Sequence, residues 1–236
     1  MGRFAIEFWG VEAAVEWDDP RFDQSAGDLL LPIWAHDPDL VPDAVFRLVT
    51  DAAGETSVQS PAQELYTMLK DDVVETLERR LHLYLGANTR QVVFVHAGVV
   101  QWNGMAILFP GRSYAGKTTL IQALVLAGAA FLSDEYAIVD PNGMVHPFPR
   151  PISLREPEGI RRIKASELGW DGRVKPLPVG AVIVTSYQKD ATWKPEEISP
   201  GSAVLELMGN TVSAQAAPQL ALACLSKAVA KTRCWR

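Results

Sequence analysis

Apolar and polar positions along this chain alternate with two periods, and the switch between them predicts the elements. Short apolar runs and two-residue alternation mark strands at residues 4–9 and 13–17 around Gly10. A second pair, 45–49 and 56–58, flanks a hairpin turn at 51–54. Residues 92–101 form a longer apolar stretch that leads into Asn103-Gly104, a dipeptide suited to a type I′ turn, and then into 105–109. Further strands are expected at 129–132, at 136–140 and 144–148 around Pro141-Asn142-Gly143, at 179–184, and at the end over 232–236. Residues 20–43 and the stretch carrying Pro149, Pro151 and Pro157 read as irregular.

Helical periodicity recurs in four places. Ser60, Pro61 and Gln63 have the form of a helix start with a capping box. Leu65, Leu69, Val73, Leu77, Leu81 and Leu85 then repeat every four residues as one apolar stripe, stopped by Gly86 and Asn88. Glu75, Glu78, Arg79 and Arg80 are expected on the solvated face of that helix. Residues 119–127 form a second helix, ended by Gly128. Ser199-Pro200 caps a third, running to Met208 and stopped by Gly209-Asn210. Pro218 opens a fourth, with Ala221, Cys224, Leu225, Ala228 and Val229 on one face. The expected class is α/β, with a mixed sheet. The expected division is a β-rich appendage over 1–60 and a catalytic domain over 61–236.

Composition narrows the function. Of 236 residues, 48% are hydrophobic, enough for a sizeable core, and the net charge of −6 with no basic block argues against a nucleic-acid partner. The two cysteines, Cys224 and Cys234, lack metal-type spacing and read as reduced thiols of a cytoplasmic protein. The acidic N-terminus does not resemble a signal peptide, and no run of eighteen apolar residues suggests a membrane span.

The strongest chemical signal is Gly111-Arg112-Ser113-Tyr114-Ala115-Gly116-Lys117-Thr118, which fits G-x-x-x-x-G-K-[ST] between an expected strand and an expected helix. Such a loop cradles phosphates. Backbone N–H groups of Gly111, Ser113, Ala115, Gly116, Lys117, Thr118 and Thr119 would surround an anion at the positive end of the helix. Lys117 would bridge the β- and γ-phosphates, and the Thr118 hydroxyl would ligate Mg²⁺. A second half is needed, carboxylates at the end of a neighbouring strand, and Asp134-Glu135 stands one helix and one strand later. His96, on an apolar strand, is either a packed core residue or a site residue that contacts a phosphate or a carboxylate. His36, His82 and His146 carry no signal of their own.

Residues 96–118, from His96 through the glycine-rich loop, followed by Phe131-Leu132-Ser133-Asp134-Glu135, resemble the catalytic domain of HPr kinase/phosphorylase. The family has a histidine fifteen residues before the first loop glycine, the spacing of His96 to Gly111, and an acidic pair after the following strand. The likeness covers 92–155 and is absent over 1–60. It implies a fold similar to ATP-dependent phosphoenolpyruvate carboxykinase, with a mixed sheet round the phosphate loop. It also implies ATP and Mg²⁺ as cofactors, with Lys117 and Thr118 on phosphate and metal. Asp134 would be the base for a serine hydroxyl, Glu135 a Mg²⁺ ligand and His96 a site residue.

Tyr114 stands where the family usually has glycine, Asp-Glu replaces its usual Asp-Asp, and the glycine-rich stretch tied to phosphorolysis has no counterpart after Arg155. The chain is closer to the shorter HPr-kinase-related proteins, some linked to lasso-peptide phosphorylation. The expected activity is therefore transfer of the γ-phosphoryl group of ATP to a serine of a protein or peptide, with Arg150 or Arg155 neutralising charge. The oligomeric state is left open, a homo-oligomer included. A small-molecule or carboxykinase-like phosphotransferase and a non-catalytic nucleotide switch are the alternatives. A guanine-nucleotide protein is disfavoured, since no Asn-Lys-x-Asp is present.

Overall fold

The computed structural model describes residues 2–66, 73–111, 115–156, 159–173, 175–190, 192 and 194–236. The chain is mixed α/β and divides into two compact units, Met1–Thr89 and Arg90–Arg236. The boundary thus falls after the long helix rather than at residue 60, because that helix packs with the first sheet. Among the described residues no helix is long and apolar enough to cross a membrane.

The first unit contains β1 (Gly2–Phe8), β2 (Val11–Trp17), α1 (Asp23–Gly27), β3 (Ala35–His36), β4 (Ala44–Thr50), β5 (Thr56–Gln59), β6 (Leu65–Tyr66) and α2 (Val73–Asn88). Its sheet has the order β3-β1-β2-β4-β5-β6, with β2 and β4 parallel and the other pairs antiparallel. The expected hairpins are present. The segment read as irregular, 20–43, holds the short helix α1 and strand β3. Leu29, Leu31 and Trp34 are buried in it, and Trp17 is buried with its indole N–H donating to Asp23 at 2.7 Å. Trp17 and Trp34 therefore serve packing.

The helix expected from residue 61 begins later. Ser60 accepts from the backbone N–H of Gln63 at 2.8 Å, and Gln63 has φ 63°, which closes a turn instead of starting a helix. Leu65 then lies in β6 and is 60% exposed. Leu69 lies outside the described residues. The apolar stripe holds from Leu77 through Leu81 to Leu85, all fully buried, and Gly86 sits inside the helix rather than ending it. Glu78, expected on the wet face, is buried, and Arg80 lies over the Tyr66 ring at 3.7 Å.

The second unit contains β7 (Val93–Trp102), β8 (Met105–Pro110), α3 (Lys117–Leu126), β9 (Ala130–Ser133), β10 (Tyr136–Val139), β11 (Met144–His146), β12 (Ile152–Glu156), β13 (Gly159–Ile163), β14 (Leu177–Ile183), β15 (Glu197–Ile198), α4 (Pro200–Gly209), α5 (Pro218–Val229) and β16 (Arg233–Trp235). The main sheet runs β11-β10-β7-β8-β14-β16-β15, and β11 also pairs with β14. Strand β14 is parallel to β8 and to β16; the other pairs are antiparallel. The β7–β8 turn uses Asn103 and Gly104 at φ 49° and 76°, the left-handed pair a type I′ hairpin requires. Ser199 caps α4 by accepting from the Ser202 N–H, and Ala221, Cys224, Leu225, Ala228 and Val229 form the buried face of α5. The proline-bearing segment expected to be irregular instead forms the two-stranded β12–β13 hairpin, anchored by fully buried Ile152.

Candidate functional site

The site grows from the long strand β7. Its Val93–His96 stretch pairs with β10, and its residues 99–101 pair with β9, so 130–139 runs back along one side of it. That partner leaves the ladder at Asp134 and Glu135. The buried Ser133 hydroxyl stands in for missing ladder contacts by accepting from the N–H groups of Glu135, at 3.3 Å, and Tyr136, at 3.1 Å. The Glu135 carbonyl still accepts from Ala97 N–H at 3.1 Å. The break therefore holds two carboxylates in fixed positions beside the middle of β7.

Gly98 lies opposite this break. A Cβ there would come within 2.8 Å of Ile121 Cγ1, so the bare backbone lets α3 approach β7 closely. Ile121 is fully buried at that contact, worth about 1.5–3 kcal/mol for such a side chain. The approach sets the first turn of α3, which carries Lys117 and Thr118. Gly116 precedes it at φ 80°, a left-handed conformation that a side chain would strain. Ahead of α3 lies the end of β8. Beside that end runs the segment after β14, where Thr185 N–H and hydroxyl both approach the Pro110 carbonyl at 3.4 Å.

The structure brings most of the expected residues together. Thr118 Oγ1 donates to Asp134 Oδ2 at 3.0 Å, joining the start of α3 to the strand break sixteen residues later. Lys117 Nζ donates to the Gly111 carbonyl at 2.9 Å. Arg150, largely buried, donates through Nη1 to Glu135 Oε2 at 2.7 Å. The other Glu135 oxygen lies 3.7 Å from His96 Nδ1, within ion-pair range but beyond a hydrogen bond. The His96 ring packs on that of Tyr136, with centroids 4.6 Å apart. Ala115, Gly116 and Thr119 lie at the start of α3. Ser113, Arg112 and Tyr114 lie outside the described residues, as does the side chain of Arg155.

Burial governs the electrostatics. It pushes the Asp134 carboxyl above the usual carboxylate range, opposed by the Thr118 hydrogen bond, Arg150 and Lys117 and reinforced by Glu135. It lowers the Lys117 ammonium, against the pull of Glu135 and Asp134. It lowers the His96 imidazole, with Glu135 opposing and Lys117 and Arg150 adding to the effect. All three groups are thus moved toward their neutral forms, a pattern that concentrates at functional sites.

Asp134 Oδ1 is buried and has no hydrogen-bond partner among the described residues. An acceptor-only oxygen beside a threonine hydroxyl suits a hard cation such as Mg²⁺, or an incoming hydroxyl donor. No group of three or more His, Cys, Asp or Glu is placed to hold a metal ion among the described residues, so a metal here would draw further oxygens from water or ligand. Glu135, expected as a metal ligand, has its oxygens on Arg150 and near His96. Thr185 and the exposed Tyr187, close to Gly111 and Gly116, carry no motif and were reachable only through the β8–β14 pairing. Comparison with family models, with curated proteins and with solved structures finds no match to this chain.

Proposed function

We infer that the protein is an ATP-dependent kinase that transfers the γ-phosphoryl group to a serine hydroxyl of a protein or peptide. The observation that carries this reading is the 3.0 Å hydrogen bond from Thr118 to Asp134, which unites a phosphate-loop pattern with a buried carboxylate. The order of elements supports the reading: α3 follows β8, and Gly116, at φ 80°, precedes its first turn.

In this reading Lys117 and the N–H groups at the start of α3 bind and orient the phosphates. Thr118 holds Mg²⁺, which when bound neutralises phosphate charge. Asp134 receives the acceptor hydroxyl proton at Oδ1, and its raised proton affinity suits that task. Glu135 fixes Arg150 and His96 in place, a role distinct from the metal contact that the family resemblance implies. Arg150 supplies positive charge near the transferred group.

The test is mass spectrometry on serine-bearing peptides and proteins incubated with ATP·Mg. A product heavier by one phosphoryl group is expected, reduced at least ~10²-fold in Lys117→Ala, the scale of losing a transition-state charge contact. Undiminished transfer by Lys117→Ala would overturn the reading. ATP binding with no transfer to any acceptor, and no effect of Asp134→Asn, would favour a nucleotide switch.

A further inference from the structure

We propose that Tyr187 is the platform on which the base of a bound purine nucleotide stacks, an inference that rests on the kinase reading above and adds to it the residue that reads the base. The argument begins with the parallel pair β8 and β14, whose C-terminal ends lie side by side. The chain leaving β14 hugs the chain leaving β8. Thr185 bonds to Pro110, and a Cβ on Gly111 would lie 3.2 Å from Thr185 Oγ1. Two residues further on, a Cβ on Gly116 would lie 3.8 Å from both Cβ and Cδ2 of Tyr187. Residues 185–187 therefore flank the two glycines that bound the phosphate-loop pattern.

Tyr187 is 71% exposed. An aromatic side chain left in water forgoes most of its burial energy, yet this one lies 3.8 Å from where a side chain on the last residue before α3 would begin. Phosphates held at the first turn of α3 leave the ribose and base to extend outward past its start. A flat, amphipathic ring at that place offers a π-face to any purine, without hydrogen-bond readout. The recognition is therefore tolerant: adenine and guanine stack alike, because each offers a π-face.

The experiment is isothermal titration of the full chain with ATP, GTP and inorganic tripolyphosphate, each with Mg²⁺, using wild type, Tyr187→Ala and Tyr187→Phe. Stacking on an aromatic side chain is worth ~1–3 kcal/mol, so Tyr187→Ala should weaken ATP and GTP about 5- to 150-fold. Tripolyphosphate, which has no base, should bind all three proteins equally, and Tyr187→Phe should bind ATP like wild type. Equal weakening of tripolyphosphate and ATP in Tyr187→Ala would overturn the proposal, since the ring would then shape the loop. Unchanged ATP affinity with reduced peptide phosphorylation would also overturn it and assign Tyr187 to the acceptor. Wild type that binds neither ATP nor tripolyphosphate would overturn the kinase reading itself, and the proposal with it.

Discussion

Replacing Asp134 by asparagine should abolish phosphoryl transfer and, in the same molecule, stabilise the fold. Asparagine keeps an oxygen to accept the 3.0 Å hydrogen bond from Thr118. It removes a negative charge from a place where burial disfavours charge more than Thr118, Arg150 and Lys117 favour it. The amide NH2 that takes the place of Oδ1 is left as unpartnered as that oxygen was, so the gain comes only from no longer burying a charge, less the lost attraction to two cations. The expected net gain is about 1 kcal/mol, or roughly 2–4 °C in Tm for a chain of this length.

The sign fixes a pH signature. The native carboxyl is raised above its ordinary value of 3.8, so between that value and the raised one the folded state holds a proton that the unfolded state has lost. Stability conferred by the protonated form is present below the ordinary value and declines as pH rises through the native one. The advantage of Asp134→Asn should therefore be full near neutrality and shrink as wild type is acidified into that window. Urea unfolding of both proteins without ligand, at several pH values, measures it. A variant less stable than wild type at neutral pH, or an advantage independent of pH, would refute the reasoning.

The remaining predictions concern the frame and the charges. Gly98→Ala forces a Cβ to within 2.8 Å of Ile121 Cγ1, 2.9 Å of its Cδ1 and 3.8 Å of Lys117 Cβ, and should lift the start of α3, lowering turnover by up to ~10²-fold, with Ile121→Val, which removes Cδ1, restoring part of it in steady-state assays. Burial raises Asp134 and lowers Lys117, so the kcat/KM profile should be a bell whose acid limb lies above 3.8 and whose alkaline limb lies below 10.5; limbs outside those bounds would assign the titrations elsewhere. Gly143 turns β10 into β11 at φ 78°, and a Cβ there would sit 2.6 Å from the Ala228 backbone N; Gly143→Ala should cost about 2 kcal/mol or more in chemical denaturation, of which ~1–2 kcal/mol is the left-handed backbone.

Much of the second unit was legible in the sequence because its signals were local and agreed with one another. Asn103-Gly104, Ser199-Pro200 and Pro218 each mark an element boundary by backbone chemistry that tertiary packing does not override, and the five-residue face of α5 is buried as its spacing predicts. The first unit shows the opposite case. A capping pattern at Ser60 and leucines spaced by four predict a helix, yet Gln63 takes a left-handed turn and Leu65 joins the sheet edge at β6. Leucine spacing is silent on which end of a stripe the sheet will claim. Glu78 escaped notice because a charged residue reads as wet until the partners that bury it are known. At the site, the glycine loop and the acidic pair are contiguous motifs, whereas Arg150 reaches Glu135 from a proline-rich stretch and Tyr187 approaches Gly116 only through the β8–β14 pairing.

The location of these contacts has a physical cause. In the proposed reading a site for several phosphate charges gathers opposite charges and carboxylates together in poor solvent, an arrangement that burial disfavours. The chain meets that cost by placing the group on its most rigid element. Strand β7 pairs with β10 and β9 on either side of the Asp134-Glu135 break and with β8 as well, and Val95, Ala97 and Val99 on it are all but completely buried. Lys117 and Thr118 hang from a helix pinned to the same strand through Gly98 and Ile121. Every charged member thus rests, directly or through one contact, on β7 or its break. The shifted proton affinities of Asp134, Lys117 and His96 follow from their burial there. A ligand that brings negative phosphates and a cation into this place would relieve the strain, so nucleotide with Mg²⁺ should stabilise wild type more than Asp134→Asn. At about 100 times Kd the wild-type gain is ~2.7 kcal/mol, and equal gains in the two proteins would separate Asp134 from the nucleotide site altogether.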